Sequence, residues 1–145
     1  LNGVASLLEK IKKKNISNIY IYHGDGRLFL KRLPKNSISE TCILFPDPWP
    51  KFKHESRRLI QKEFLNKLSE VMVSNSFVYT SSDNHIAQTW MLKTFLYNKN
   101  FEWIVKDINQ IYKKPDFFED TKYFKKSLKE GRQVSWLKFK NVKEY

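Results

Sequence analysis

A chain of 145 residues with 27 Lys and Arg against 15 Asp and Glu carries a formal charge of +12 and a pI near 9.7, a balance that favours a polyanionic partner. Its 41% hydrophobic and 15% aromatic residues can bury a core, which excludes a disordered tail. There is no apolar run long enough to span a bilayer, no secretion-like opening and only one cysteine, Cys42, so a soluble cytoplasmic protein without disulfides or a membrane partner is expected.

Val4, Leu7, Leu8 and Ile11 recur at helical spacing, followed by Lys10, Lys12, Lys13 and Lys14 where cations suit a helix C-terminus; this predicts an amphipathic helix ending near Asn15. Ile19-Tyr20-Ile21-Tyr22 reads as a strand stopped by His23-Gly24-Asp25-Gly26, and Leu28, Leu30 and Leu33 make a helical turn before Pro34. The continuous run Thr41 to Phe45 reads as a strand buried on both faces of a parallel sheet, with Cys42 a core thiol. A helix is predicted from Arg58 to about Asn75-Ser76, carrying Leu59 or Ile60, Phe64, Leu65, Leu68 and Met72. Phe77 to Thr80 is the next strand, and Ser81-Ser82-Asp83-Asn84 supplies caps for a helix with Ile86, Ala87, Trp90, Met91 and Phe95.

Phe101 to Val105 and Val134 to Phe139 complete the strands, separated by a polar, aromatic loop and a short helix from about Thr121 to Glu130 that Gly131 stops. The alternation predicts a single α/β domain over residues 1–145, its sheet mostly parallel with a late antiparallel strand.

The segment Phe45-Pro46-Asp47-Pro48-Trp49-Pro50-Lys51 stands out. Alternating prolines exclude right-handed helix at Phe45, Asp47 and Trp49, so an extended run is expected, with Asp47 and Trp49 on one face. Ligands of open α/β sheets bind beyond the carboxyl ends of the strands, and Asp25, Asp47 and Asp83 each follow a predicted strand. For Asp83, capping the following helix is an equal reading. Lys51, Lys53, Arg57 and Arg58, with His54 among them and Glu55 the only acid, suit phosphate contact. His23, His54 and His85 lack metal-ligand spacing, Ser82, Asp83 and His85 crowd one turn without a nucleophile elbow, and Gly24-Asp25-Gly26 is a weak dinucleotide-loop signal; no metal is expected.

Leu44-Phe45-Pro46-Asp47-Pro48-Trp49-Pro50-Lys51, then Lys53-His54 with Arg57-Arg58-Leu59, Phe64-Leu65, Ser82-Asp83-Asn84 and Thr121-Lys122-Tyr123 resemble the bacterial tRNA (guanine-N7)-methyltransferases, a class I S-adenosylmethionine-dependent family with a Rossmann-like fold. The resemblance implies methyl transfer from S-adenosylmethionine to N7 of a tRNA guanine, in the variable loop as in the family. It gives Asp47 the place of the active-site acid, which also faces the cofactor, and Asp25 a place at the cofactor's adenine side. Lys51 and Asp83 match substrate-binding positions, and Lys53, His54, Glu55, Ser56, Arg57 and Arg58 match the RNA-contacting segment. Thr121, Lys122, Tyr123 and Phe124 match a C-terminal substrate motif of Thr, two variable residues and Glu, with Phe124 in place of that Glu. The family's first two strands, with their glycine-rich cofactor loop and ribose-binding acid, have no counterpart, which implies a split core and a partial cofactor site. Two alternatives stand beside this one: a catalytically inactive RNA-binding remnant or partial gene product, and, lower, an amino-group methyltransferase.

Overall fold

Local sequence preferences explain most elements of this computed structural model, which describes residues 2–144. Two compact units form, Leu1–Arg32 and Leu33–Tyr145. In the first, helix α1 (Asn2–Lys13) carries Lys10, Lys12 and Lys13 in its last turn. It stops at Asn15, whose φ of 50° is left-handed, while the Ile16 N–H returns to the Ile11 carbonyl at 3.0 Å. Helix α2 (Gly26–Leu30) is capped by Asp25, whose side chain accepts from the Arg27 N–H.

The strand expected at Ile19–Tyr22 does not form. A strand needs a neighbour to take its N–H and C=O groups, and among the described residues nothing pairs with this segment. Tyr20 is instead 95% exposed, and Tyr22 turns back to stack on Phe29 with ring centroids 4.9 Å apart.

The second unit holds a four-stranded sheet in the order β1-β2-β4-β3, built from β1 (Ile38–Leu44), β2 (Met72–Ser82), β3 (Phe101–Trp103) and β4 (Ser135–Asn141). β1 and β2 pair in parallel, whereas β4 is antiparallel to both β2 and β3. β1, β2 and β3 therefore share one direction and β4 alone runs against them, which is the late antiparallel strand of a Rossmann-like sheet. β1 is an edge strand rather than one enclosed by neighbours. Only Ile43 is buried within it and Cys42 is exposed, so the expectation of a core thiol is corrected.

Helices α3 (Lys62–Val71) and α4 (His85–Leu96) cover one face of the sheet. Leu65, Leu68, Val78, Met91 and Phe95 fill this layer, where Phe95 stacks on Phe139 at 3.9 Å. On the opposite face Tyr79 meets Phe117 and Phe118, and Trp136 meets Phe118 and Phe124.

The helix predicted from Arg58 to Asn75 is shorter at both ends. Residues Phe52–Arg57 form a 3-10 helix, Arg58 is extended, and α3 begins only at Lys62 because the Ile60 carbonyl is taken by the Trp90 indole N–H at 2.7 Å. At the other end α3 passes directly into β2 at Met72. Buried Asn141 enforces this change: its amide N–H groups reach the Ser69, Met72 and Val73 carbonyls, and its oxygen accepts from Ser69 Oγ at 2.8 Å.

Candidate active site

β1 delivers the proline-rich loop to the carboxyl edge of the sheet. The Phe45 N–H donates to the Ser81 carbonyl at 2.9 Å, extending the β1–β2 pairing by one residue. The loop then departs from the expected extended run, since Phe45 (φ 51°) and Trp49 (φ 40°) are both left-handed. Proline bars the preceding residue from right-handed helix, and these two take the left-handed alternative, at a cost of order 1–3 kcal/mol each. The shared face expected for Asp47 and Trp49 no longer follows. The indole packs edge-on to His54 at 5.6 Å, and the Arg57 guanidinium lies 4.9 Å from its centre. Asp47 is exposed, and no other described residue donates a hydrogen bond to its carboxylate.

Arg58 secures the loop from beneath. It is 7% exposed, donates from Nε and Nη2 to the Trp49 carbonyl at 3.3 and 3.1 Å, and lies 4.5 Å from the centre of the Trp90 ring. Its guanidinium is thus engaged inside the protein, unlike Lys51, Lys53 and Arg57, which are exposed along with Ser56. His54 and Glu55 are half-buried; the Glu55 carboxylate sits 3.9 Å from Arg58.

β2 places Asp83 one residue past its end. The cap of α4 is Asn84, whose Oδ1 accepts from the Ala87 N–H at 3.1 Å, so Asp83 is free of the capping role that the sequence left open. Its Oδ2 accepts from Ser127 Oγ at 2.6 Å and from Arg132 Nε at 2.7 Å. Burial pushes the carboxyl upward, but the Ser127 and Arg132 bonds outweigh it and hold Asp83 below the usual carboxylate value.

Helix α5 (Lys122–Lys129) brings the third segment. Thr121 is its N-cap, with Oγ1 accepting from the Phe124 N–H at 3.1 Å. Tyr123 is 65% exposed, and its ring lies 6.1 Å from Phe45 at an interplanar angle of 23°. Phe124 turns to Trp136, with centroids 5.7 Å apart, and therefore brings an apolar contact where the resemblance implies a carboxylate. Lys122 is exposed.

The Asp47 loop, Asp83 and the start of α5 thus converge at one edge of the second unit. Asp25 belongs to the first unit, where Arg27 donates from Nε and Nη2 to both carboxylate oxygens at 2.7–3.1 Å and lowers its pKa. Ser127, Arg132 and Trp136 were not singled out by sequence reading. A serine and an arginine on the far side of a lysine-rich helix carry no spacing signal that ties them to an acid more than forty residues earlier.

A mixed α/β sheet with acids just beyond the carboxyl ends of two adjacent parallel strands has the layout of an enzyme that binds its ligand at that edge. Residues 1–137 match the family described as "Putative methyltransferase", and the chain belongs to that methyltransferase family. It is 36% identical over 144 residues to the tRNA (guanine-N(7)-)-methyltransferase of Wolbachia pipientis wMel, covering 95% of this chain and 59% of that protein. Against the tRNA (guanine-N(7)-)-methyltransferase of Bradyrhizobium diazoefficiens the identity is 32% over 142 residues, covering 97% and 59%. The chain spans about three fifths of the length of these relatives. A solved SAM dependent methyltransferase from Archaeoglobus fulgidus aligns with a TM-score of 0.46 at 13% identity, covering 94% of this chain and 81% of that one.

Both Asp25 oxygens are filled by Arg27, and the cleft beside Asp47, lined by Pro46, Pro48, Arg58, Ile60 and Trp90, holds about 10 Å³. That is room for one water and far less than a nucleoside requires.

Proposed function

We propose that this chain carries the guanine-binding half of a tRNA (guanine-N7)-methyltransferase, whose methyl donor is S-adenosylmethionine and whose workplace is the cytoplasm. The convergence of the Asp47 loop, Asp83 and the Tyr123 end of α5 beside exposed Lys51, Lys53 and Arg57 is the observation that carries this reading. The exposed cations suit tRNA phosphates, and the carboxylates suit a base rich in N–H donors.

Guanine N7 has a lone pair on the major-groove edge, so its methylation needs no general base. Asp47 and Asp83 can accept from guanine N1–H and the exocyclic amine, fixing the base and offsetting the positive charge of the N7-methylated ring. Lys51 and Tyr123 border this place, the first as a phosphate partner and the second as an exposed ring against which a base can lie.

The test is 7-methylguanosine formation in unmodified tRNA, assayed by mass spectrometry, with Asp47→Ala as the variant. Loss of product is expected; near-normal product in that variant would remove Asp47 from its role.

A second reading, an RNA-binding protein without methyl transfer, is favoured by the narrow cleft at Asp47 and by the Arg27–Asp25 pairing. Calorimetry with S-adenosylmethionine separates the two, because micromolar binding to the chain is incompatible with this alternative.

A further inference from the structure

Two other residues hold the Asp83 carboxylate, both at Oδ2. Ser127, fully buried on α5, has one hydroxyl proton and two acceptors within reach, Asp83 Oδ2 at 2.6 Å and the Tyr123 carbonyl at 2.8 Å. The charged acceptor takes the stronger bond. Arg132 arrives because Gly131, at φ 65°, ends α5 in a left-handed turn: the Arg132 N–H returns to the Ser127 carbonyl at 2.9 Å, and the guanidinium swings toward β2. Nε binds Asp83 Oδ2 at 2.7 Å while Nη1 pairs with Glu130, so the arginine is itself fixed from its other side. Among the described residues no other side chain reaches Oδ1, and the Asp83 side chain is 21% exposed.

We propose that Ser127 and Arg132 are positioning residues for Asp83, filling Oδ2 from two directions so that the carboxylate plane is fixed and Oδ1 is its one acceptor for a guanine N–H. The guanine part of this inference rests on the proposed function; the positioning part does not. A carboxylate anchored in this way meets a base without first losing rotational freedom, and Arg132 acts on the base through Asp83.

Two measurements on the full chain test it. The first follows the Asp83 side-chain carboxyl by carbon NMR against pH in wild type, Ser127→Ala, Arg132→Gln and Arg132→Lys. The midpoint rises in the first two variants and is partly restored by lysine. Arg132 is 41% exposed on its side chain, so its variants keep the fold even where Ser127→Ala does not. Unchanged midpoints in the Arg132→Gln and Ser127→Ala proteins overturn the positioning role.

The second measures the dissociation constant for unmodified tRNA in an Arg132→Gln and Asp83→Asn double-mutant cycle. Arg132→Gln alone weakens binding about tenfold, as expected for a lost bond to a charged group, and has no further effect once Asp83 is Asn. An equal loss in both backgrounds means that Arg132 touches RNA directly and overturns the inference. A wild-type chain that binds no tRNA refutes the proposed function and the guanine contact with it, while the NMR titration still decides whether Asp83 is positioned.

Discussion

Arg58 Nη2 donates to the Trp49 carbonyl at 3.1 Å, with Nε of the same guanidinium at 3.3 Å from that oxygen and the Trp90 ring 4.5 Å away. One buried cation therefore ties the proline loop to α4. Arg58→Ala leaves the carbonyl without its charged donor and opens a gap against Trp90, lowering unfolding free energy by about 3 kcal/mol. Arg58→Lys recovers little, since an ammonium lacks the planar fork that both bonds and stacks. Urea denaturation of the two variants checks this, and a lysine variant as stable as wild type would refute it.

Trp49 sits at φ 40°, where a residue with a Cβ is strained. Trp49→Ala removes the ring and keeps that strain; Trp49→Gly removes both. The glycine variant should therefore exceed the alanine variant by about 1 kcal/mol, reversing the usual order of the two residues. Thermal melts of the pair are sufficient, and alanine above glycine would mean that the left-handed backbone is not retained.

Asp83 has a carboxyl pKa lowered from 3.8 by Ser127 and Arg132 against the opposing effect of burial. A depressed folded-state value makes the contribution to stability full above the unfolded value, near 3.8, and lost as pH falls through the lower folded value. Wild type should exceed Asp83→Asn in stability at neutral pH, and the gap should close below about pH 4. A gap constant between pH 7 and pH 3 in chemical denaturation would contradict this.

Cys42 lies exposed on edge strand β1, with its thiol raised above 9.0 by desolvation of the sulfur and by the Glu40 carboxylate. It should react with maleimide in the folded protein without denaturant, slowly at neutral pH and faster as the solution becomes alkaline, because the thiolate is the nucleophile. Glu40→Gln should speed the neutral reaction. Labelling only after unfolding would return Cys42 to the core.

The periodicity of Val4 to Ile11, the capping run Ser81 to Asn84 and the glycine stop at 131 were legible in the sequence because each is a local preference that nothing distant opposes. The late antiparallel strand was legible too. The Ile19–Tyr22 strand was not decidable locally, since pairing depends on a neighbour. The true ends of α3 depend on the Trp90 indole and the Asn141 amide, which come from residues 30 to 72 positions away. At the candidate site the acids could be read from their places after strands. The loop's backbone hand, the inward turn of Arg58 and the Ser127–Asp83–Arg132 cluster belong to tertiary packing and had no pattern to announce them.

The position of β4 between β2 and β3 has a consequence for biosynthesis. β3 has no other partner among the described residues, and one long edge of β2 stays open until β4 arrives. A nascent chain that has already made β1, β2 and β3 therefore presents unpaired strand edges to the crowded interior of the cell until residue 141 emerges from the ribosome. Slow synthesis through the lysine-rich stretch before β4 would prolong that exposure, making yield from expression sensitive to translation speed over residues 122–134.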